Sequence, residues 1–124
     1  MFVVQRIYDY QPERQDFQTA VFIDRLYPRG IAKEKMAAVE WLKDLTPSTP
    51  LRRWYHENPE QHFEEFAVRY VGELQGERQQ QAIGRLKTLA ARSRAVLLLT
   101  AVRHPVRSHV SVLEEYLGER FIYR

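Results

Sequence analysis

Residues 95–101, Ala-Val-Leu-Leu-Leu-Thr-Ala, are apolar at nearly every position instead of at alternate ones. A strand with one wet face alternates. A run without alternation is dry on both faces, which is the condition of a central strand in a sheet covered on its two sides. This segment directs the chain toward an α/β arrangement, and the rest of the sequence supplies the covering elements.

Two further strands are readable ahead of it. Residues 2–7 form a short apolar run, and over 17–23 Phe17, Thr19, Val21 and Ile23 alternate with Gln18, Ala20 and Phe22. The polar connection over 9–16 contains Pro12 and is too short for a helix. It leaves the direction of the first strand open between a wide hairpin and a parallel crossover without its helix, since crossovers normally need about a dozen residues.

After Gly30 the period becomes helical. Ala38, Trp41, Leu42 and Leu45 fall at i, i+3, i+4 and i+7 and predict a helix, with Lys35, Glu40 and Lys43 toward solvent. Thr49 reads as an N-cap with Pro50 opening a short helix that bears Leu51, Trp54 and Tyr55, and Asn58-Pro59 repeats the device. The next helix carries Phe63, Phe66, Tyr70 and Leu74 and ends near Gly76; another over 77–91 presents Ala82, Ile83, Leu86 and Ala90. These stripes are core surfaces. Beyond the central strand a last helix, with Val106, Val110, Leu113 and Leu117 inward, closes at Gly118, and 121–124 reads as a short edge strand.

With 124 residues the chain buries roughly two thirds of its unfolded surface around one core. The expected fold is therefore a single three-layer α/β domain over residues 1–124, with a small, mostly parallel sheet flanked by helices and the 17–23 and 95–101 strands central.

The abrupt end of the second strand, Ile23-Asp24-Arg25-Leu26-Tyr27-Pro28-Arg29-Gly30, is the first place to look for function. Pro28 lacks a backbone donor and pushes Tyr27 toward extended geometry, while Gly30 permits a turn at positive φ. One carboxylate and two guanidiniums are thereby held at a strand's carboxyl end, where open α/β sheets keep their ligand crevices. Arg25 and Arg29 can fork onto a phosphate or carboxylate with Asp24 orienting Arg25, or Asp24 and an arginine form an ion pair that staples the turn. The segment after the central strand, Arg103-His104-Pro105-Val106-Arg107-Ser108-His109, mirrors this one and leads into a helix start, which attracts anions. If the two strands are parallel neighbours, Arg25, Arg29, Arg103, His104 and Arg107 face one crevice. The competing explanation makes Arg103 and Arg107 solvated loop residues.

Other chemistries lose ground. Without cysteine, thiolate nucleophiles, disulfides and cysteine-ligated metals are excluded. His104 and His109, five apart, lack the spacing of a zinc helix and a third ligand, so no metal is expected, although one of them can move a proton near neutral pH. His56 and His62 read as surface or packing residues. Glycine-rich nucleotide loops, the hydrolase elbow and the zincin motif are missing, so no motif names a cofactor. A net charge of +3 and a pI near 9.3 suit an anionic ligand but fall short of a dedicated nucleic-acid face. No apolar run approaches the ~20 residues of a membrane span, and the amino terminus has no leader pattern. A cytoplasmic location is expected.

These residues resemble a known family. The 23–30 motif with Lys33, then Trp41-Leu42-Lys43 through Pro47-Ser48 to Leu51-Arg52-Arg53-Trp54, then Phe66, Tyr70 and Glu73-Leu74, is similar to the YeaO-like branch of small bacterial proteins grouped as domain of unknown function 488. The likeness runs over about 2–117 and implies a compact α/β fold. Its strongest motif falls on Asp24, Arg25, Pro28, Arg29 and Gly30, which favours a pocket over a simple staple. The family has no settled function. Where its members typically carry a Lys-Asp-Glu-Glu-His-Asn type of segment, this chain has Arg103-His104-Pro105-Val106-Arg107-Ser108. An acidic loop has become basic, which favours a more negative ligand.

The expected function is therefore binding of a small anionic molecule, bearing phosphate or carboxylate, by Arg25, Tyr27, Arg29, Arg103 and Arg107. Asp24 and His104 are the catalytic candidates if turnover exists. The alternative is a nucleic-acid or protein interaction module using Arg52, Arg53, Arg85, Lys87, Arg92 and Arg94.

Overall fold

The computed structural model describes residues 1–14 and 19–124. Its strands are β1 (Phe2–Arg6), β2 (Thr19–Phe22), β3 (Val39–Trp41), β4 (Val96–Thr100) and β5 (Phe121–Tyr123). Its helices are α1 (Lys33–Met36), α2 (Thr49–Glu57), α3 (Pro59–Leu74), α4 (Glu77–Arg92) and α5 (His109–Leu117), with 3-10 turns at Ile7–Asp9, Lys43–Leu45 and Pro105–Arg107. No helix of the described residues is long and apolar enough to cross a membrane.

The strands form one sheet in the order β3-β2-β4-β1-β5, and every pairing is parallel. β4 is the middle strand, and all five of its residues are buried. Its side chains divide between two clusters: Val96 and Leu98 join Phe2, Val4, Val21 and Ile23, while Leu97 and Leu99 join Val3 and Phe22. That division is why the run does not alternate. β1 lies on the far side of β4 from β2 and parallel to it, so the hairpin alternative for the first connection falls. β2 begins at Thr19; the expected start at Phe17 lies outside the described residues.

The two faces are covered unequally. Over the first lie α2, α3, α4 and α5, through residues such as Leu51, Tyr70, Leu86 and Leu113. Over the second lie the turn at Ile7, Tyr10, Ile31 and Met36 of the one-turn α1. Tyr70 is fully buried, and its hydroxyl donates to the Leu45 carbonyl. Burial, aided by the Glu73 charge, pushes its phenol up and keeps it a donor.

Four sequence expectations need correction. The helix over 38–45 is not formed, because helix stops after α1 and β3 follows at once. Val39-Glu40-Trp41 pairs with Ala20, Val21 and Phe22, and the Leu42 N–H donates to the Phe22 carbonyl at 3.1 Å. Alternation then puts Val39 and Trp41 on the second face and Leu42 and Leu45 on the first. The ladder with β2 overrides the local period, as β-branched and aromatic residues favour. Glu40, expected in solvent, accepts two hydrogen bonds at 2.8 Å each from Arg85 of α4. The cap of α2 is Ser48, one residue earlier than expected: its Oγ accepts from Leu51 N–H at 3.3 Å and donates to Glu73 Oε2 at 2.5 Å. Val106 is 69% exposed in the turn before α5 and is no part of that helix's buried side.

The other caps match their sequence signals. Asn58 caps α3 ahead of Pro59, and Gly118 closes α5 at φ 68 with its N–H shared between the Glu114 and Glu115 carbonyls at 3.1 Å each. A Cβ at Gly118 meets nothing within 4 Å, so the penalty of Gly118→Ala is purely conformational. It is expected to lower the free energy of unfolding by about 1 kcal/mol, read as a lower urea midpoint at unchanged slope.

Candidate functional site

β2 and β4 are adjacent and parallel, yet their chains leave in opposite directions. β2 runs through 23–32 to α1 on the second face, and β4 runs through 101–108 to α5 on the first. Diverging exits from neighbouring strands open a crevice at their carboxyl ends. A cleft of about 670 Å³ lies there, bordered also by 46–47, α2 and the start of α3.

Asp24 sits at its floor with a side chain only 14% exposed. Oδ1 accepts from the Thr100 hydroxyl and Oδ2 from the Ala101 N–H, both at 2.7 Å, while the Asp24 carbonyl accepts from the Trp41 indole at 2.6 Å. His109, the first residue of α5, places Nε2 at 2.6 Å from the Ile23 carbonyl and 3.2 Å from Asp24 Oδ1. Both partners only accept, so Nε2 carries a proton. Burial pushes the Asp24 carboxyl up, but the hydrogen bond and charge of His109, with Thr100 and Ala101, outweigh it and hold the group below its ordinary value. One carboxylate thus ties together the ends of β2 and β4 and the start of α5.

Asp24 does not orient Arg25, contrary to the sequence expectation. Arg25 donates from Nε to the Pro47 carbonyl and from Nη2 to the Thr46 carbonyl, both at 3.0 Å, and so braces the connection ahead of α2. The staple read as an alternative is also different: the partner of Asp24 is a histidine, not an arginine.

The other candidates converge on the cleft. Tyr27, Arg29, Arg103, His104 and Arg107 all line it together with Asp24 and Arg25. Arg29, Arg103 and His104 are exposed, and among the described residues no hydrogen bond or ion pair engages their side chains. Arg107 packs its guanidinium 4.7 Å over the Phe63 ring, and its carbonyl accepts from Tyr55 at 2.8 Å. Tyr27 donates to the Ile31 carbonyl at 2.9 Å and meets Trp41 edge-on.

The sequence leaves Tyr8, Tyr55, His56, Glu60 and His109 out of the site, although all of them line it: it puts Tyr55 on a helix face, His56 at the surface or in packing, and His109 only among the residues able to move a proton. Of these only His109 carried a local signal, as the residue that follows the Ser108 cap after the central strand; Ser108 Oγ accepts from Val110 N–H at 3.1 Å. His56 is pushed down by burial and by the charges of Arg52 and His109, which keeps it neutral at physiological pH. Arg52, assigned in the sequence to a separate surface, belongs to the cleft, and Arg85 is held by Glu40. Arg53, Lys87, Arg92 and Arg94 are exposed. Among the described residues no group of three His, Cys, Asp or Glu side chains is placed to hold a metal ion.

A family model described as the inactive DUF488-N3 subclade, DUF488-N3i, matches residues 1–123. The uncharacterized protein Rv3073c of Mycobacterium tuberculosis is 42% identical over 118 residues, which cover 94% of this chain and 93% of that protein. An uncharacterized protein of Mycobacterium bovis matches to the same extent. The uncharacterized protein YeaO of Escherichia coli is 33% identical over 113 residues, covering 91% of this chain and 93% of YeaO. No solved structure matches significantly.

Proposed function

The chain belongs to the inactive DUF488-N3 subclade, and from that premise we propose that it is a binding protein for a small phosphate- or carboxylate-bearing molecule, held in the cleft at the ends of β2 and β4. One observation carries the reading: among the described residues, Arg25, Arg29, Arg52, Arg103 and Arg107 line that cleft against two carboxylates, Asp24 and Glu60. Asp24 is already consumed by its internal partners. Guanidiniums gathered at one hollow repel each other, and a ligand anion relieves that repulsion while accepting hydrogen bonds from Arg29 and Arg103, whose side chains have no hydrogen-bond or ion-pair partner among the described residues.

Binding without turnover fits the groups present. Asp24 and His109 are engaged with each other and with backbone, and the Ser108 hydroxyl donates to the Pro105 carbonyl at 2.7 Å while capping α5. None of these three stands free as a nucleophile or base, and His104, which is free, has no hydrogen-bond partner among the described residues to orient it. The description of the subclade as inactive agrees with this assignment.

Isothermal titration with inorganic phosphate and sulfate tests the proposal. Arg29→Ala combined with Arg103→Ala removes two unpartnered guanidiniums without touching the core. It is expected to weaken binding roughly ten- to thirtyfold and to flatten its salt dependence. No detectable binding by the unaltered protein, or identical affinity for the double variant, overturns the proposal.

A further inference from the structure

We infer that the molecule held in the cleft is a nucleoside monophosphate, an inference that rests on the anion-binding reading and specifies its ligand. The cleft, at about 670 Å³, is within the range of roughly 300–1,000 Å³ that small organic ligands occupy and far exceeds the needs of a lone phosphate. Its walls are of two kinds. Arg29 and Arg103 supply charge, whereas Tyr8 and Tyr27 supply ring surface.

The tyrosines are the informative part. Tyr8 is 40% and Tyr27 44% exposed, yet each hydroxyl is tied to the backbone. Tyr8 donates to the Arg29 carbonyl at 3.1 Å and Tyr27 to the Ile31 carbonyl at 2.9 Å. Arg6 lies 5.1 Å from the Tyr8 ring centre, and Trp41 meets Tyr27 edge-on with centroids 6.2 Å apart. Two rings are thus immobilised at a solvent-open cleft. A bare anion gains nothing from them, because the face of an aromatic ring carries the negative end of its quadrupole. A flat heterocycle gains a stacking surface whose ordering cost is already met.

Glu60 adds an independent constraint. It lines the same cleft, in the first turn of α3, and among the described residues its carboxylate has no hydrogen-bond or ion-pair partner. For a simple anion this carboxylate is repulsive. For a ligand that also carries hydroxyl or amino donors it is an acceptor in place. Anionic group, planar apolar body and donor groups occur together in a nucleotide.

The experiment titrates the full chain with AMP, GMP, CMP and UMP, and with ribose 5-phosphate, phenyl phosphate and inorganic phosphate. At least one nucleotide is expected to bind about tenfold or more tightly than the other three. Tyr27→Ala is expected to abolish that margin by weakening the nucleotide far more than inorganic phosphate, while Tyr27→Phe, which keeps the ring, retains most of it. Glu60→Gln is expected to move the two ligands in opposite directions, weakening the nucleotide and strengthening inorganic phosphate. Equal affinity for all phosphates, or for phenyl phosphate and nucleotides, overturns the nucleotide assignment while anion binding stands. The nucleotide assignment also falls if Glu60→Gln strengthens nucleotide and phosphate alike, or if a short oligonucleotide binds more tightly than any mononucleotide. No binding by any of them overturns both readings.

Discussion

Replacing Asp24 with alanine is expected to cost the folded state about 3–5 kcal/mol, because it leaves two donors without an acceptor at about 1–3 kcal/mol each. The substitution strands the buried Thr100 hydroxyl and the half-buried Ala101 N–H at the floor of the cleft, and it removes the carboxylate beside His109. Buried donors without acceptors are the main cost. Asp24→Asn keeps the volume and one acceptor but turns an NH2 group toward a donor, so it is expected to fall between the two. Urea midpoints at neutral pH check the order wild type, Asn, Ala. Equal midpoints for wild type and Asp24→Ala refute the role given to this carboxylate. The sign with pH follows from the depressed carboxyl. A group whose folded value lies below its unfolded value of about 3.9 contributes fully above that pH. The contribution is lost as pH falls through the lower, folded value. The gap between wild type and Asp24→Asn is therefore expected to be constant near neutrality and to narrow below about pH 4.

The second large effect is expected at Arg25. Alanine there removes two charge-assisted hydrogen bonds and leaves the carbonyls of Thr46 and Pro47, which are buried, without those donors. A loss of about 2–3 kcal/mol is expected after allowing for partial solvent access. Arg25→Lys is expected to recover only part of it, because an ammonium cannot reproduce the planar fork. Since Thr46 and Pro47 border the cleft, the alanine variant should also weaken phosphate binding, but only together with stability. A variant of unchanged stability that no longer binds phosphate would make Arg25 a ligand clamp and not a brace.

The two arginines of the 23–30 motif illustrate how far a sequence can be read. Both are visible as cations at a strand end, and both line the cleft. Nothing local separates Arg29, whose side chain is free of partners among the described residues, from Arg25, whose partners are 21 and 22 positions away. Long-range backbone acceptors leave no periodic trace. His109 is a similar case. Its distance from His104 argues against a metal helix, but its pairing with Asp24 depends on β2 and β4 being neighbours.

The elements divide along the same line. Residues 95–101 announce a central strand because burial on both faces is a property of the run itself. Asn58-Pro59 announces the start of α3 because a cap is a matter of a few adjacent residues. Val39-Glu40-Trp41 misleads because Ala38, Trp41, Leu42 and Leu45 satisfy a helical spacing, while a partner strand decides the outcome. The uneven cover on the second face, where Ile7, Tyr10 and Ile31 stand in for a full helix, likewise has no signature in any single segment.

The sheet order carries a consequence for how the chain comes together. β1 is made first during synthesis, but its neighbours are β4 and β5, and Phe2 must wait for Val96 and Phe121, about 90 and 120 residues later. Between those moments its apolar edge has no native neighbour. Assembly of this protein is therefore expected to conclude at its amino-terminal strand, with a long interval in which a ribosome-bound nascent chain offers a sticky edge to chaperones or to other unfinished copies.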